Sequence, residues 1–226
     1  MQYTQLIEGT FLRRPNRFLA HVLVEGQEEV CHVKNTGRLK ELLVEGAKVL
    51  IEPSDSPKRK TKFSLICVEK EGQWVNIDSQ VVNTIAAEWI RTGGLFPQVE
   101  LVKREKRYGN SRFDLYVETQ EDKWFIEVKG VTLVENRRAM FPDAPTERGV
   151  KHVKELITCQ KDGYKSGILF VIQRKGVDCF TPHRLRHAEF ADILKSAQAF
   201  GVNVMAVDCM VDEKGIVIEK RIPVIL

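Results

Sequence analysis

Asp114 and, thirteen positions later, the run Glu127-Val128-Lys129 bring two carboxylates and a lysine into one short stretch of chain. Hard oxygen ligands at one open position suit Mg²⁺ or Mn²⁺, and a lysine beside them can orient or help deprotonate a water; together this is the chemistry of phosphodiester hydrolysis. The flanking pattern supplies a scaffold. Residues 112–118 and 123–129 alternate apolar and polar, and Thr119-Gln120-Glu121-Asp122 between them make a polar turn, which predicts a β-hairpin. If it folds symmetrically, cross-strand partners have numbers summing to 241, so Glu118 faces Lys123, Tyr116 faces Phe125, Asp114 faces Glu127 and Arg112 faces Lys129. Phe113, Leu115, Val117, Trp124, Ile126 and Val128 then fill one face, and Asp114, Glu127 and Lys129 crowd the other. Like charges directly opposed cost up to about 1 kcal/mol, which a divalent cation between them would offset. The same residues also fit a solvated outer face in which Glu127 pairs with Lys129 or Lys123.

The rest of the chain must position these groups. Its 226 residues suffice for one large core or two modest ones, and 43% hydrophobic with 29% charged residues is an ordinary globular balance. No apolar stretch approaches the roughly 20 residues needed to cross a bilayer. The N-terminal Met-Gln-Tyr-Thr-Gln has no signal-peptide pattern, so a cytoplasmic location is expected. Cys31, Cys67, Cys159, Cys179 and Cys209 are odd in number and widely spaced, which favours core thiols over disulfides or a zinc site.

Residues 1–77 read as short strands (17–24, 29–34, 47–52, 63–69, 73–77) with one short helix near Gly37 to Leu43, a spacing that fits an OB-type barrel. Pro53 to Pro57 and the basic residues after them read as an exposed loop. From Asp78 the period changes. Asp78 is placed to cap a helix carrying Val81, Val82, Ile85, Ala86, Trp89 and Ile90, which ends before Gly93-Gly94. A strand near 98–104 and the hairpin follow. Thr146 caps a second helix that Gly163 stops; then come a buried strand over 167–172, a third helix with Phe190, Ile193, Leu194 and Ala197, and strands near 202–209 and 215–220. The expected fold is mixed α+β: an N-terminal barrel over 1–77 and a second domain over 78–226 of order α-β-β-β-α-β then α-β-β.

That order, with an acid on the second strand and Glu-x-Lys on the third, resembles the common core of the restriction-endonuclease-like, PD-(D/E)xK superfamily. Other residues narrow the likeness. Asn35-Thr36-Gly37, Ile126-Glu127-Val128-Lys129, the run from Phe141 to Gly149 leading to Lys151-His152, and Pro223-Val224 resemble the sugar fermentation stimulation protein A (SfsA) family along essentially the whole chain. The resemblance implies an N-terminal OB-like domain, a nuclease-like C-terminal domain and a DNA-binding protein. Carried onto this sequence, it nominates Asp114 and Glu127 as metal ligands, the backbone carbonyl of Val128 as a third, and Lys129 as the water-positioning group. The proline that often precedes the first acid is replaced by Phe113. For the extra acid that many such nucleases place on the first helix, Glu88 is the well-placed candidate, with a solvated helix flank as the alternative reading.

Several basic groups suit phosphate. Arg148 and His152 lie four apart near a helix N-terminus, where they can hold a phosphate or else form an ordinary surface turn with His152 paired to Glu155 or Glu147. Net charge is only +4, but Arg13-Arg14 with Arg17, Lys58-Arg59-Lys60 with Lys62, Lys103-Arg104 with Lys106-Arg107, and Arg137-Arg138 form local knots, several beside an aromatic. From these, Arg13, Arg17 and Lys60 are candidate nucleic-acid contacts, and so is Asn35, whose Asn-Thr-Gly run reads equally as a turn. Two functions fit: Mg²⁺- or Mn²⁺-dependent hydrolysis of DNA, or a catalytically silent DNA-binding regulator of sugar-utilisation genes. RNA fits the barrel equally well.

Overall fold

The computed structural model describes residues 1–54, 59–109 and 111–226. The first strands are β1 (Ile7–Asn16), β2 (Leu19–Val24), β3 (Gln27–Val33), β4 (Lys48–Pro53), β5 (Phe63–Lys70) and β6 (Gln73–Asn76). They form one sheet in the order β3-β2-β1-β4-β5-β6, and a parallel pairing of β3 with β5 closes five of them into a barrel. Glu25-Gly26 and Glu71-Gly72 each put two successive residues at positive φ, the backbone of a tight hairpin turn whose twist matches its strands. Phe11, Val22, Cys31, Val33, Ile51, Leu65 and Val75 fill the interior. Leu50, Ile66 and Cys67 point the other way, into a core shared with the second domain.

That domain comprises α1 (Val81–Arg91), β7 (Leu101–Tyr108), β8 (Ser111–Glu118), β9 (Lys123–Val131), β10 (Val134–Glu135), β11 (Arg138–Phe141), α2 (Glu147–Lys161), β12 (Lys165–Ile172), β13 (Cys179–Pro182), α3 (Ala188–Ala199), β14 (Asn203–Val211) and β15 (Ile216–Ile222). Its main sheet runs β15-β14-β12-β9-β8-β7, with β9, β12 and β14 parallel and the outer pairs antiparallel. β12 is buried at seven of eight positions, as a central parallel strand covered on both faces must be. α2 and α3 cover one face through Val153, Leu156, Phe190 and Leu194. α1 and the barrel cover the other, with Ile85 and Ile66 in one cluster with Leu169 and Val207. The barrel is tied on by a buried polar chain: Gln173 donates to Asn76 Oδ1 at 2.9 Å and to the Asp78 carbonyl at 3.0 Å, and Asn76 donates to the Tyr3 hydroxyl at 2.8 Å.

Several expectations need correction. β1 begins at Ile7, although Gly9, the Arg13-Arg14 pair and Pro15 hide it from the alternation pattern; it lies between β2 and β4 and is indispensable to closure. The helix expected near 37–43 is a series of turns, with Leu39 at φ 51°, incompatible with a right-handed helix. Asp78 lies two residues before the N-cap, Gln80, and caps the entering turn by accepting from the Gln80 N–H at 2.8 Å. A small sheet, β10-β11-β13, was not foreseen. Thr146 does cap α2, accepting from the Gly149 N–H at 3.1 Å, and Gly163 follows its end at φ 84°. All five cysteines are free and buried. Residues 55–57 of the expected loop, and Lys58, lie outside the described residues.

Candidate active site

The hairpin β8–β9 keeps the expected register from Glu118↔Lys123 to Leu115↔Ile126 and stops there. Beyond that point alternation along β8 breaks. Leu115 and Val117 pack on the α1 side, whereas Phe113 joins Phe125 and Tyr116 on the α2 side, correcting its expected face. Between them Asp114 is freed from a regular place in the ladder, and its carboxylate accepts from the Val128 backbone N–H at 2.8 Å and from Asn83 Nδ2 on α1 at 2.8 Å. On β9, Glu127 points towards α2. Its Oε1 takes both the Lys129 ammonium and the Nδ1 edge of His152, two very close contacts.

Glu127 is 2% exposed and its Oε2 has no hydrogen-bond partner among the described residues. A buried, ionised, half-satisfied carboxylate is expensive unless a cation or water completes it. The carboxylates titrate in opposite directions. For Glu127, burial pushes the carboxyl up, but the His152 bond and the Lys129 charge outweigh it and hold the group below the usual range. Burial and then the charge of Glu127 push Asp114 up, against the Val128 N–H, Lys129 and Asn83. The arrangement therefore holds one firm anion and one that a positive charge would help to ionise. Two acids with a free buried oxygen fit a hard divalent cation.

Two family models match the chain: the SfsA N-terminal OB domain over residues 12–77 and the sugar fermentation stimulation protein RE domain over residues 80–215. The chain belongs to the sugar fermentation stimulation protein family. Curated homologues of that name from Ruminiclostridium cellulolyticum and Clostridium beijerinckii are 58% and 57% identical, each alignment covering at least 99% of both chains. The solved structure of Pyrococcus furiosus SfsA in complex with Ca²⁺ matches with a TM-score of 0.92 at 31% identity, covering 100% of this chain and 98% of that one. The SfsA-type pairing of barrel and mixed sheet is thus the fold of this protein.

The other nominated residues of this family member are dispersed. Glu88 lies on another flank of α1 from Asn83, bonded at 2.9 Å to the N-terminal amine, so it adds no acid to Asp114 and Glu127. His152 is buried against Glu127, and neither Glu155 nor Glu147 is its partner; exposed Arg148 reaches only its far ring nitrogen, at 3.5 Å. Arg13 is committed to Glu28 at 2.6 Å and also meets His21. Asn35 builds a turn, accepting from the Gly37 N–H and donating to the Ile77 carbonyl. Lys60 and Arg17 are exposed, on different connections of the barrel. The basic residues Lys103, Arg104, Lys106 and Arg107 lie on edge strand β7, where charge also discourages pairing with another sheet. Sequence reasoning missed Asn83, which carries no pattern signal, and missed the role of His152. For the latter a signal existed: His152 sits beside Val153 on the flank of α2 that buries Gly149, Val150 and Leu156. Ligand atoms of Glu147, His187 and Glu189 also approach within 4.8 Å of one another. His187 Nδ1 already accepts from the Thr146 N–H, and Glu189 holds Lys154, so this is a surface network.

Proposed function

We propose that this protein binds DNA and hydrolyses its phosphodiester bonds with Mg²⁺ or Mn²⁺ held by Asp114, Glu127 and the Val128 carbonyl, with Lys129 as the water-positioning group. The observation that carries the reading is the partnerless buried Oε2 of Glu127 beside a second acid and a lysine. Val128 supports it: in an extended strand a residue's N–H and C=O face the same edge, so a Val128 N–H directed at Asp114 turns its carbonyl towards that carboxylate as well. A relative of the same fold was solved with Ca²⁺, another hard cation that takes oxygen ligands. Bound there, the cation would neutralise charge developing on a phosphoryl oxygen and supply a nucleophile near neutral pH. Lys129, between Glu127 and solvent, would hold that water in line. His152 fixes the rotamer of Glu127, and Asn83 that of Asp114.

A second reading, a catalytically silent DNA-binding regulator of sugar-utilisation genes, gains from one feature: Glu127 Oε1 is already occupied by the Lys129 ammonium and the His152 ring. Incubation with labelled linear, nicked, branched and single-stranded DNA plus Mn²⁺ or Mg²⁺, beside Lys129→Ala, separates the two. Cleavage by the native protein alone supports hydrolysis. No cleavage of any substrate, with DNA binding retained by both proteins, favours the regulator.

A further inference from the structure

A groove of about 550 Å³ runs between the barrel and the segment leading into α2. Its barrel wall is the β1–β2 turn and the residues after β3; its other wall is Phe141 to Thr146. Four cationic side chains line it, Arg14, Arg17, Arg38 and Lys40, against a single acid, Asp143. Arg14 is structural: its guanidinium donates to the carbonyls of Arg17, Asn35, Gly37 and Arg38. Asp143 is occupied too, accepting from the Arg38 backbone N–H at 3.1 Å, and Gly37 permits this closure because a Cβ there would lie 2.9 Å from that same carboxylate. Arg17, Arg38 and Lys40 are exposed and have no carboxylate partner among the described residues.

Phe18, next in sequence to the groove-lining Arg17, is 52% exposed, with the Arg17 guanidinium 5.9 Å from its ring centre. The groove shares Thr36, Gly37, Phe141 and Asp143 with a second cavity of about 180 Å³, which reaches Gly130, the residue after Lys129. The two adjoining cavities thus extend from the unpaired cations on the barrel to Gly130, the residue that follows Lys129 on β9. Cations that follow a backbone, beside an aromatic face open for stacking, are what an unpaired strand requires; in a duplex the base faces are already stacked.

We propose that this interdomain groove carries a single strand of DNA, with Arg17, Arg38 and Lys40 on its phosphates and Phe18 stacked on a base, and feeds that strand to the Glu127 site. The inference rests on the reading of the protein as DNA-binding and supplies the form of the substrate: a tail, flap or gap with an unpaired strand.

The test measures binding without catalysis. Fluorescein-labelled single strands, and duplexes of the same sequence, are titrated with full-length protein in EDTA, and anisotropy is followed at several salt concentrations. The native protein binds the single strand more tightly than the duplex. Arg38→Ala combined with Lys40→Ala, which keeps the Arg38 N–H to Asp143, weakens single-strand binding about tenfold or more. It also flattens the plot of log K against log salt by about 1.4, the slope for two lost phosphate contacts on a single strand. Phe18→Ala weakens binding about fivefold with an unchanged slope. The thermal midpoints of all variants match the native protein. Duplex binding as tight as single-strand binding, variants that bind like the native protein, or an RNA strand bound more tightly than the DNA would each overturn the proposal. Loss of the hydrolysis reading looks different: no cleavage with metal, while single-strand preference and variant effects persist.

Discussion

Gly130 follows Lys129 directly, and a methyl group there would press on the joint between the domains. Its Cβ would lie 2.7 Å from Gln173 Oε1 and 3.1 Å from Val82 Cγ1, the first closer than real Cβ contacts come. Gln173 is 1% exposed, so its amide cannot retreat to solvent while keeping its bonds to Asn76 and Asp78. Two lost hydrogen bonds cost about 1 kcal/mol each, and a buried partner left unmade adds about 1–3 kcal/mol. Against that, Gly→Ala restricts the unfolded chain and returns about 0.4–1 kcal/mol. Gly130→Ala is therefore expected to destabilise by about 2–4.5 kcal/mol, and for a chain of this size the melting midpoint falls by about 4–18 °C. The assay is thermal melting of the native protein, Gly130→Ala, Gln173→Ala and the double variant. If the clash with Gln173 is the mechanism, truncating that side chain relieves it, and the double variant is more stable than the sum of the two effects by about 1 kcal/mol or more. A midpoint within a degree of native for Gly130→Ala, or strictly additive effects, refutes the reasoning.

Arg14→Ala removes donors to four carbonyls at once and is expected to cost about 2–4 kcal/mol, since bonds from a charged donor are worth more than neutral ones; a chemical-denaturation midpoint unchanged from native would contradict this. Burial pushes the Asp208 carboxyl above its usual range, against the Lys220 N–H and charge. A raised folded value means its contribution is fully present below the unfolded value, about 3.9, and is lost as pH rises through the folded value. Asp208→Asn, which keeps an acceptor for the Lys220 N–H, is thus expected to raise the melting midpoint at pH 7, with the gain shrinking towards pH 4. A gain independent of pH would show that charge is not its cause.

The sequence reads best where period and turn chemistry agree. The register of β8 and β9 from Glu118↔Lys123 to Leu115↔Ile126, the Thr146 cap and the sequence order of the second domain's main elements all follow from alternation over several residues or from one capping side chain. It reads worst where tertiary packing overrides local pattern. Val49, Leu50 and Ile51 are all fully buried because β4 lies between the barrel interior and the second domain, and their apolar run still marks the strand expected over 47–52, whereas β1, interrupted by Gly9, Arg13-Arg14 and Pro15, carries no such mark. Strands β10 and β11 of the small sheet are two and four residues long, too short to show a period. At the site, the acids and lysine were visible as residue types at fixed spacing. The break in alternation at Asp114 was not, because it depends on a carboxylate outcompeting the ladder for the Val128 N–H.

That break explains how the hairpin tolerates its own charges. Were Asp114 and Glu127 a regular cross-strand pair, the sheet would hold two like charges on one face with nothing between them. Instead they are held by different elements from different sides: Asp114 by α1 and the β9 backbone, Glu127 by α2 and Lys129. His152 and Lys129 stabilise one carboxylate as an anion, while burial and that anion work against ionisation of the other. The fold therefore bears the repulsion unaided and leaves one oxygen without a partner. Because α1 fixes Asp114 and α2 fixes Glu127, movement of either helix relative to the sheet alters the spacing of the acids, so the packing that buries Ile85 on one face and Val153 on the other sets the geometry of the site.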